Sequence, residues 1–407
     1  MSINNDRRAF VKSALAASMA GIMGKALDDL TVPASAQIGN KMQSGLQGSA
    51  RIEPKDLIGK AQTVLGPVDG ESLGITSCHE HLLWDLSAIF KEPESARERD
   101  LAHQPVQMSN LYWVRANPHS NVDNLLQTEE ELAISESLPF KNAGGRTIVE
   151  LTQTGMSRDP VGLARIARAT GLNIIMGSGY YIGKSHPPDL DSKTEEDIAR
   201  EIVNDITAGA GGTGIRSGII GEIGCSAPLT KNERKVLRAS AMAQRQTGAP
   251  MNVHPSMSDD LVMENIKILK DAGADLSRVA ISHIDGFEYS PVTRMKILEE
   301  GCYVSYDGFG QLVYHFLVMD RVLNGHSDIQ RINDIVGMID AGYINQIQIA
   351  QDFCFKSCLA AYGGYGYAHI LNNLFPFMRA KGITDKNIHT LLVENPRRFL
   401  EFVPAKG

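Results

Sequence analysis

From residue 64 onward, short apolar runs alternate with amphipathic segments. Eight runs read as strands: residues 74–82, 147–152, 173–179, 217–224, 250–255, 279–285, 302–308 and 346–352. They are apolar nearly throughout rather than at every second position, the pattern of strands covered on both faces. Helix signals fall between them. Thr230-Lys231-Asn232-Glu233 is a capping-box pattern ahead of a periodic segment that stops at Gly248, and Thr194-Glu195-Glu196-Asp197 opens another helix. Residues 259–272 space Leu261, Ile266, Ile268 and Leu269 around one helical face and end at Gly273. Strand–helix units repeated in this way predict an α/β fold, a (β/α)8 TIM barrel. A doubly wound open sheet is the alternative, but no GxGxxG follows the first strand to support it.

The longest interruption lies between the first two strands. Residues 85–130 are polar, weakly periodic and carry Pro93, Pro105 and Pro118. On a barrel this is a long loop insertion after strand 1, on the face where active sites sit. It reads as a substrate-covering loop or, equally, as a tolerated surface insertion.

The first 36 residues read as an address rather than as fold. Arg7 and Arg8 precede Phe10 and Lys12, an apolar stretch rich in Ala and Gly follows, and Ala34-Ser35-Ala36 supplies a cleavage pattern. This order resembles a twin-arginine signal peptide, with Asp6 where Ser or Thr is usual. It predicts export through the twin-arginine machinery, cleavage near Ala36 and a periplasmic mature protein. A disordered tail is the plainer alternative. Residues 37–61 read as a linker and 62–403 as the barrel. No other stretch of 18 apolar residues occurs, so no membrane span is expected in the mature form.

Composition changes this picture little. The 407 residues are 43% hydrophobic and 21% charged, as in ordinary globular proteins. The net charge of -7, without a long basic run, gives nucleic-acid binding no electrostatic support. Five cysteines form neither a CxxC pair nor a disulfide framework. Cys354 and Cys358 could bridge, but buried thiols are the simpler reading.

The chemistry lies at the carboxyl ends of the predicted strands. His79 and His81 share one face of strand 1, because strand side chains alternate, so both imidazoles can reach one metal. Glu222 is embedded in the apolar run Gly218-Ile219-Ile220-Gly221-Glu222-Ile223-Gly224, where an unpaired carboxylate is costly. A bridge between two metals would satisfy it, and so would a buried pair with Lys or Arg. His254, His283 and Asp352 end three further strands. Each alone would pass for a structural polar residue. Together, on a barrel, they read as a site. Imidazole with carboxylate suits two divalent ions, Zn first, with Mn, Co, Ni or Fe as alternatives. Such a pair can hold a bridging hydroxide and polarise an electrophile.

These stretches resemble the phosphotriesterase family of the amidohydrolase superfamily. The resemblance rests on Thr76-Ser77-Cys78-His79-Glu80-His81-Leu82, Asn252-Val253-His254-Pro255, Ile281-Ser282-His283-Ile284-Asp285 and Gln351-Asp352, with Gly363–Leu371 and Val393–Arg398 beyond them. It spans about residues 62–403. It implies that His79, His81 and Asp352 hold one metal, that His254 and His283 hold the other, and that the strand-4 residue bridges them. Well-known members carry a carboxylated lysine there. Glu222 places this chain with the phosphotriesterase-related subset and argues against efficient phosphotriester hydrolysis.

The resemblance further implies substrate contacts from Tyr180 and Tyr181, for which loop packing is the alternative. Asp285 would orient a ligand histidine, and Asp307 is a substrate contact at most. The relay histidine of some members has no match. The expected reaction is hydrolysis of an ester, lactone or amide, with Asp352 as general base. A catalytically inactive exported metal-binding or sensing protein is the rival. The expected partners are a small-molecule substrate, the export machinery and a second copy in a homodimer.

Overall fold

The computed structural model describes residues 51–287, 289–311 and 325–406, with backbone alone at 316–318 and 321–323. The signal-peptide expectation, including Arg7, Arg8 and Ala36, lies outside these residues.

Eight parallel strands form one sheet in chain order, β1 (Ile75–Glu80), β2 (Gly145–Glu150), β3 (Asn173–Ser178), β4 (Ile219–Gly224), β5 (Met251–His254), β6 (Val279–Ile281), β7 (Tyr303–Tyr306) and β8 (Ile347–Ile349). Each falls inside or overlaps a run read from the sequence. β6 and β8 are shorter than expected. His283 and Asp352 adopt φ of 55° and 48°, and a left-handed residue ends the extended path. Both expected ligands therefore sit just past their strands.

The double coverage inferred from the apolar runs is visible residue by residue. Ile175 and Ile219 face inward with Val149, Leu151 and Ala280. Their neighbours Ile174 and Ile220 face the surrounding helices. Helix Lys231–Thr247 begins at a true capping box on Thr230 and Glu233 and stops at Gly248 in the left-handed conformation. Thr194 and Asp197 cap helix Glu195–Thr207 in the same way. In helix Asp259–Asp271 Ile266 and Leu269 are buried as expected, but Val262 and Asn265 complete the face in place of Leu261 and Ile268. Asn265 is drawn in because its Oδ1 accepts the Ser256 N–H at 2.9 Å.

The barrel's amino-terminal end is plugged by an antiparallel hairpin of Lys60–Thr63 with Gly66–Asp69. Val64 donates its N–H to Ile174 at 2.9 Å, and Ala61 joins the inward cluster. The expected linker at 37–61 is thus ordered at its end: Leu57 is buried and Gly59 bonds Phe402 at 2.9 Å. Burial of Leu57 alone contributes about 1.5–3 kcal/mol, so residues 51–61 belong to the folded unit.

The β8–β1 seam closes differently from the rest. No ladder joins them. Instead the Asp352 N–H donates to the His79 carbonyl at 3.1 Å. The Glu80 carboxylate accepts from the N–H groups on either side, Gln351 at 3.1 Å and Phe353 at 3.2 Å.

The insertion after β1 carries short helices Ala96–Ala102 and Leu111–Ala116 and a small core of its own around Val106, Trp113 and Val114. Lys356, in the loop after β8, reaches Asp123 of the insertion at 2.6 Å. No helix among the described residues is long and apolar enough to cross a membrane. All five cysteines are free thiols, Cys354 and Cys358 included.

Candidate metal centre and active site

Gly221 sets up the centre. Its φ is 114°, and a Cβ there would lie 2.1 Å from the Asn252 carbonyl oxygen. The β4–β5 register shifts at this point, between Ile220 and Ile223. Such an irregularity re-aims the next side chain. That side chain is Glu222, and it turns to face the four histidines.

Glu222 Oε2 lies 3.2 Å from His254 Nδ1, 3.2 Å from His283 Nε2 and 3.6 Å from His79 Nε2. Its Oε1 lies 3.5 Å from His81 Nε2. Asp352 Oδ1 completes the cluster at 3.1 Å from His81 Nε2 and 3.5 Å from His79 Nε2. All six residues singled out as ligands are therefore gathered in one place. Among the described residues Glu222 pairs with histidines and with no Lys or Arg.

The outer nitrogens of three histidines are held. Thr152 Oγ1 is 2.9 Å from His81 Nδ1, Ser282 Oγ is 3.0 Å from His79 Nδ1, and Asp307 Oδ1 is 2.9 Å from His283 Nδ1. Each bond turns the ring so that Nε2 faces inward. His254 is the exception and presents Nδ1.

This donor set fits divalent cations. His79 Nε2 is buried without a hydrogen-bond partner. Ligand atoms of His79, Glu222 and His283, and of His79, His81 and Asp352, form two groups within 4.8 Å. Electrostatics agree. Burial opposes ionisation of Glu222, yet His79 and the other histidines hold its carboxyl well below the usual range. Burial also disfavours protonated His79, but Glu222 and Asp352 push it up to about 10. His283 rises for the same reason through Asp307, whereas burial lowers His254. The cavity draws positive charge to its floor, protons or metal ions alike.

Of three further expected residues, two are placed differently. Tyr181 lines the cavity, with its hydroxyl 3.4 Å from His254 Nδ1. Tyr180 does not: its hydroxyl bonds Glu201, and Lys193 donates to it at 3.1 Å, so it packs against helix Glu195–Thr207. The successive residues point to opposite sides, as extended backbone requires. Asp285 does not orient a histidine. It accepts from the Gly308 N–H at 3.0 Å and pairs with Arg331.

Asp307, expected as a substrate contact, takes the orienting role. Besides the His283 ring it accepts the His283 backbone N–H at 3.0 Å and lies 3.3 Å from His79 Nδ1. The signal was present: an acid directly after the apolar run Tyr303–Tyr306, the same context that singled out Glu222.

Above the centre lies a cavity of about 430 Å³. Its walls include Ile89 and Phe90 from the insertion, Phe287 after β6 and Phe355 after β8. The Phe287 ring sits 5.5 Å from His254 and 5.4 Å from His283. A buried constellation that can bind metal thus opens onto a mostly apolar, small-molecule-sized space.

The family model of the phosphotriesterase family matches residues 59–400. The chain is 43% identical over 349 residues to the N-acetyltaurine hydrolase of Xenopus tropicalis, covering 85% of this chain and 99% of that one. It is 41% identical to the phosphotriesterase-related protein of Nematostella vectensis, with 84% and 99% covered. Among solved structures it is similar to a resiniferatoxin-binding protein from Rhodobacter sphaeroides, with a TM-score of 0.81, 34% identity, and 87% and 98% covered. Barrel, ligand set and relatives agree: the chain is a hydrolase that belongs to the phosphotriesterase family, among its phosphotriesterase-related members.

Proposed function

We propose that the protein is a binuclear metal-dependent amidase that cleaves a small N-acylated amine. The carrying observation is the 43% identity, over nearly the whole relative, to an N-acetyltaurine hydrolase. The cluster of four histidines and two carboxylates below an open cavity supports the same reading.

His79, His81 and Asp352 would hold one ion, His254 and His283 the other, with Glu222 shared. When bound, two such ions activate water and polarise the oxygen under attack. The remaining work falls to the chain. Asp352 is the general base. Its side chain is 14% exposed where that of Glu222 is 2% exposed, so it alone of the two reaches the cavity. Gln311 Nε2, 3.4 Å from Oδ2, steadies it. Asp352 takes a proton from the attacking water as the C–O bond forms, and returns it to the amide nitrogen as the C–N bond breaks. Carboxylic acid and free amine result. The Tyr181 hydroxyl, at the cavity wall beside His254, orients the acyl group. Phe287 and Phe355 exclude bulk water.

The same parts would act on esters and lactones, with phosphotriesters as a slow side activity. A panel of N-acyl amines, lactones, aryl esters and aryl dialkyl phosphates, assayed with the purified Zn- or Mn-loaded protein, tests the reading. An acetylated amine should show the highest kcat/KM. A phosphotriester as the best substrate would overturn it.

A further inference from the structure

Below the metal centre the barrel is filled largely by apolar side chains, among them Val149, Leu151, Ile175, Ile219 and Ala280. Two polar side chains break this filling from adjacent strands, Asn252 of β5 and Ser282, which directly follows β6. Both are buried. Burying such groups costs free energy unless they are hydrogen-bonded, and here the bonds run in one direction. Ser282 donates its hydroxyl to Asn252 Oδ1 at 2.9 Å. The Ser282 oxygen lies 3.0 Å from His79 Nδ1. The other ring nitrogen, His79 Nε2, faces Asp352 at 3.5 Å and Glu222 at 3.6 Å and has no hydrogen-bond partner.

A hydroxyl has one proton to give, and an amide oxygen has none. With its proton given to Asn252, Ser282 can only accept from His79. The imidazole must then carry its hydrogen on Nδ1 and keep the lone pair of Nε2 for a cation. Asp307 Oδ2, 3.3 Å from the same Nδ1, is also an acceptor and favours the same tautomer. It is the longer of the two contacts, and Asp307 is engaged mainly with the His283 ring and backbone. Without Asn252 the Ser282 hydroxyl is free to turn and donate to Nδ1 instead. That places the ring hydrogen on Nε2, where it blocks metal.

We propose that Asn252 is a positioning residue that acts through Ser282: it fixes the tautomer of His79, so that Nε2 is the metal-binding atom. The inference rests on the two-metal reading and extends the centre to a group that touches neither metal nor substrate. The relay is neutral from end to end, whereas His283 is oriented by the Asp307 carboxylate directly.

Zn affinity of the full chain, measured at fixed pH by competition with a chromophoric chelator, reads the relay without reference to turnover. Leucine at position 252 keeps the shape and removes the acceptor. N252L should therefore bind Zn about tenfold more weakly at one of its two steps, the low end of outer-shell losses because Asp307 remains. N252D keeps the accepting oxygen and should bind as the parent does. S282A removes the acceptor of His79 and the wrongly turned donor together, and should also lose about tenfold. The double variant N252L/S282A distinguishes a relay from two separate packing defects. It should lose about tenfold, rather than the roughly hundredfold of independent effects. Parent-like affinity in N252L, a fall in N252D equal to that in N252L, or a hundredfold loss in the double variant overturns the relay. A parent protein that takes up no Zn would sink the two-metal reading, and the relay with it.

Discussion

Asp307 and Asp285 offer a sharp test, because sequence and structure assign the same task to different acids. Asp307 accepts three bonds from His283: the backbone N–H at 3.0 Å to Oδ1 and 3.1 Å to Oδ2, and the ring at 2.9 Å to Oδ1. Its Oδ2 also faces His79 Nδ1 at 3.3 Å. Asparagine keeps one accepting oxygen and replaces the other with an NH2 that can only donate. Whichever way the amide lies, one of the two histidines faces an NH2 in place of an acceptor and the other keeps only a neutral oxygen. A charge-assisted bond of this kind contributes about 1.5–3 kcal/mol. Outer-shell losses typically weaken metal binding by about 10–100-fold, or about 1.4–2.8 kcal/mol, which is the same range. Asp307→Asn should therefore weaken the first metal lost by about 10–100-fold in competition with a chromophoric chelator at fixed pH. Asp285→Asn should not, because its carboxylate touches Gly308 and Arg331 and no histidine among the described residues. Parent-like affinity in Asp307→Asn, or a larger loss in Asp285→Asn, would refute the assignment.

Glu222→Gln keeps shape and loses charge, so elemental analysis should find fewer than the two metals per chain expected of the parent, with turnover abolished. Full metal content would place the bridge elsewhere. Asp352→Asn should lower kcat on the best amide by about 10²–10⁴-fold and change KM far less, because the proton acceptor is used in the chemical step. Near-normal turnover would remove it as the base. Arg7→Lys with Arg8→Lys keeps the charge but not the paired guanidinium groups. Fractionation should then find uncleaved protein in the cytosol, and unchanged periplasmic delivery would rule out the twin-arginine route.

The parts of the molecule governed by near-neighbour rules were legible in the sequence. Strand positions follow from apolar runs bounded by glycine, and the two capping boxes on Thr194 and Thr230 formed as written. The clustering of the six candidate ligands was legible because each is a polar residue at the end of an apolar run, and runs in a barrel end together. What the sequence concealed depends on contacts between distant segments. Asp285 and Asp307 both stand near a strand end, and only the fold shows that Arg331 claims one and His283 the other. Tyr180 and Tyr181 are adjacent and chemically identical, and the turn of the backbone alone decides which sees the cavity. Asn265 is buried through its bond to Ser256, a contact that the spacing of apolar positions does not register.

The β8–β1 seam has a consequence for the order of events during synthesis. Glu80 and His79 emerge early, but the Gln351, Asp352 and Phe353 N–H groups they receive emerge only after nearly all of the barrel. No shorter nascent chain can present both sides of the centre. Metal capture by both sides of the centre would therefore come late in synthesis and would latch the first strand to the last. In the apo protein those three amides should be among the first in the barrel to exchange with deuterium, and metal should slow them more than amides at the β3–β4 ladder. An export route that carries only folded cargo would then be one that waits for this latch.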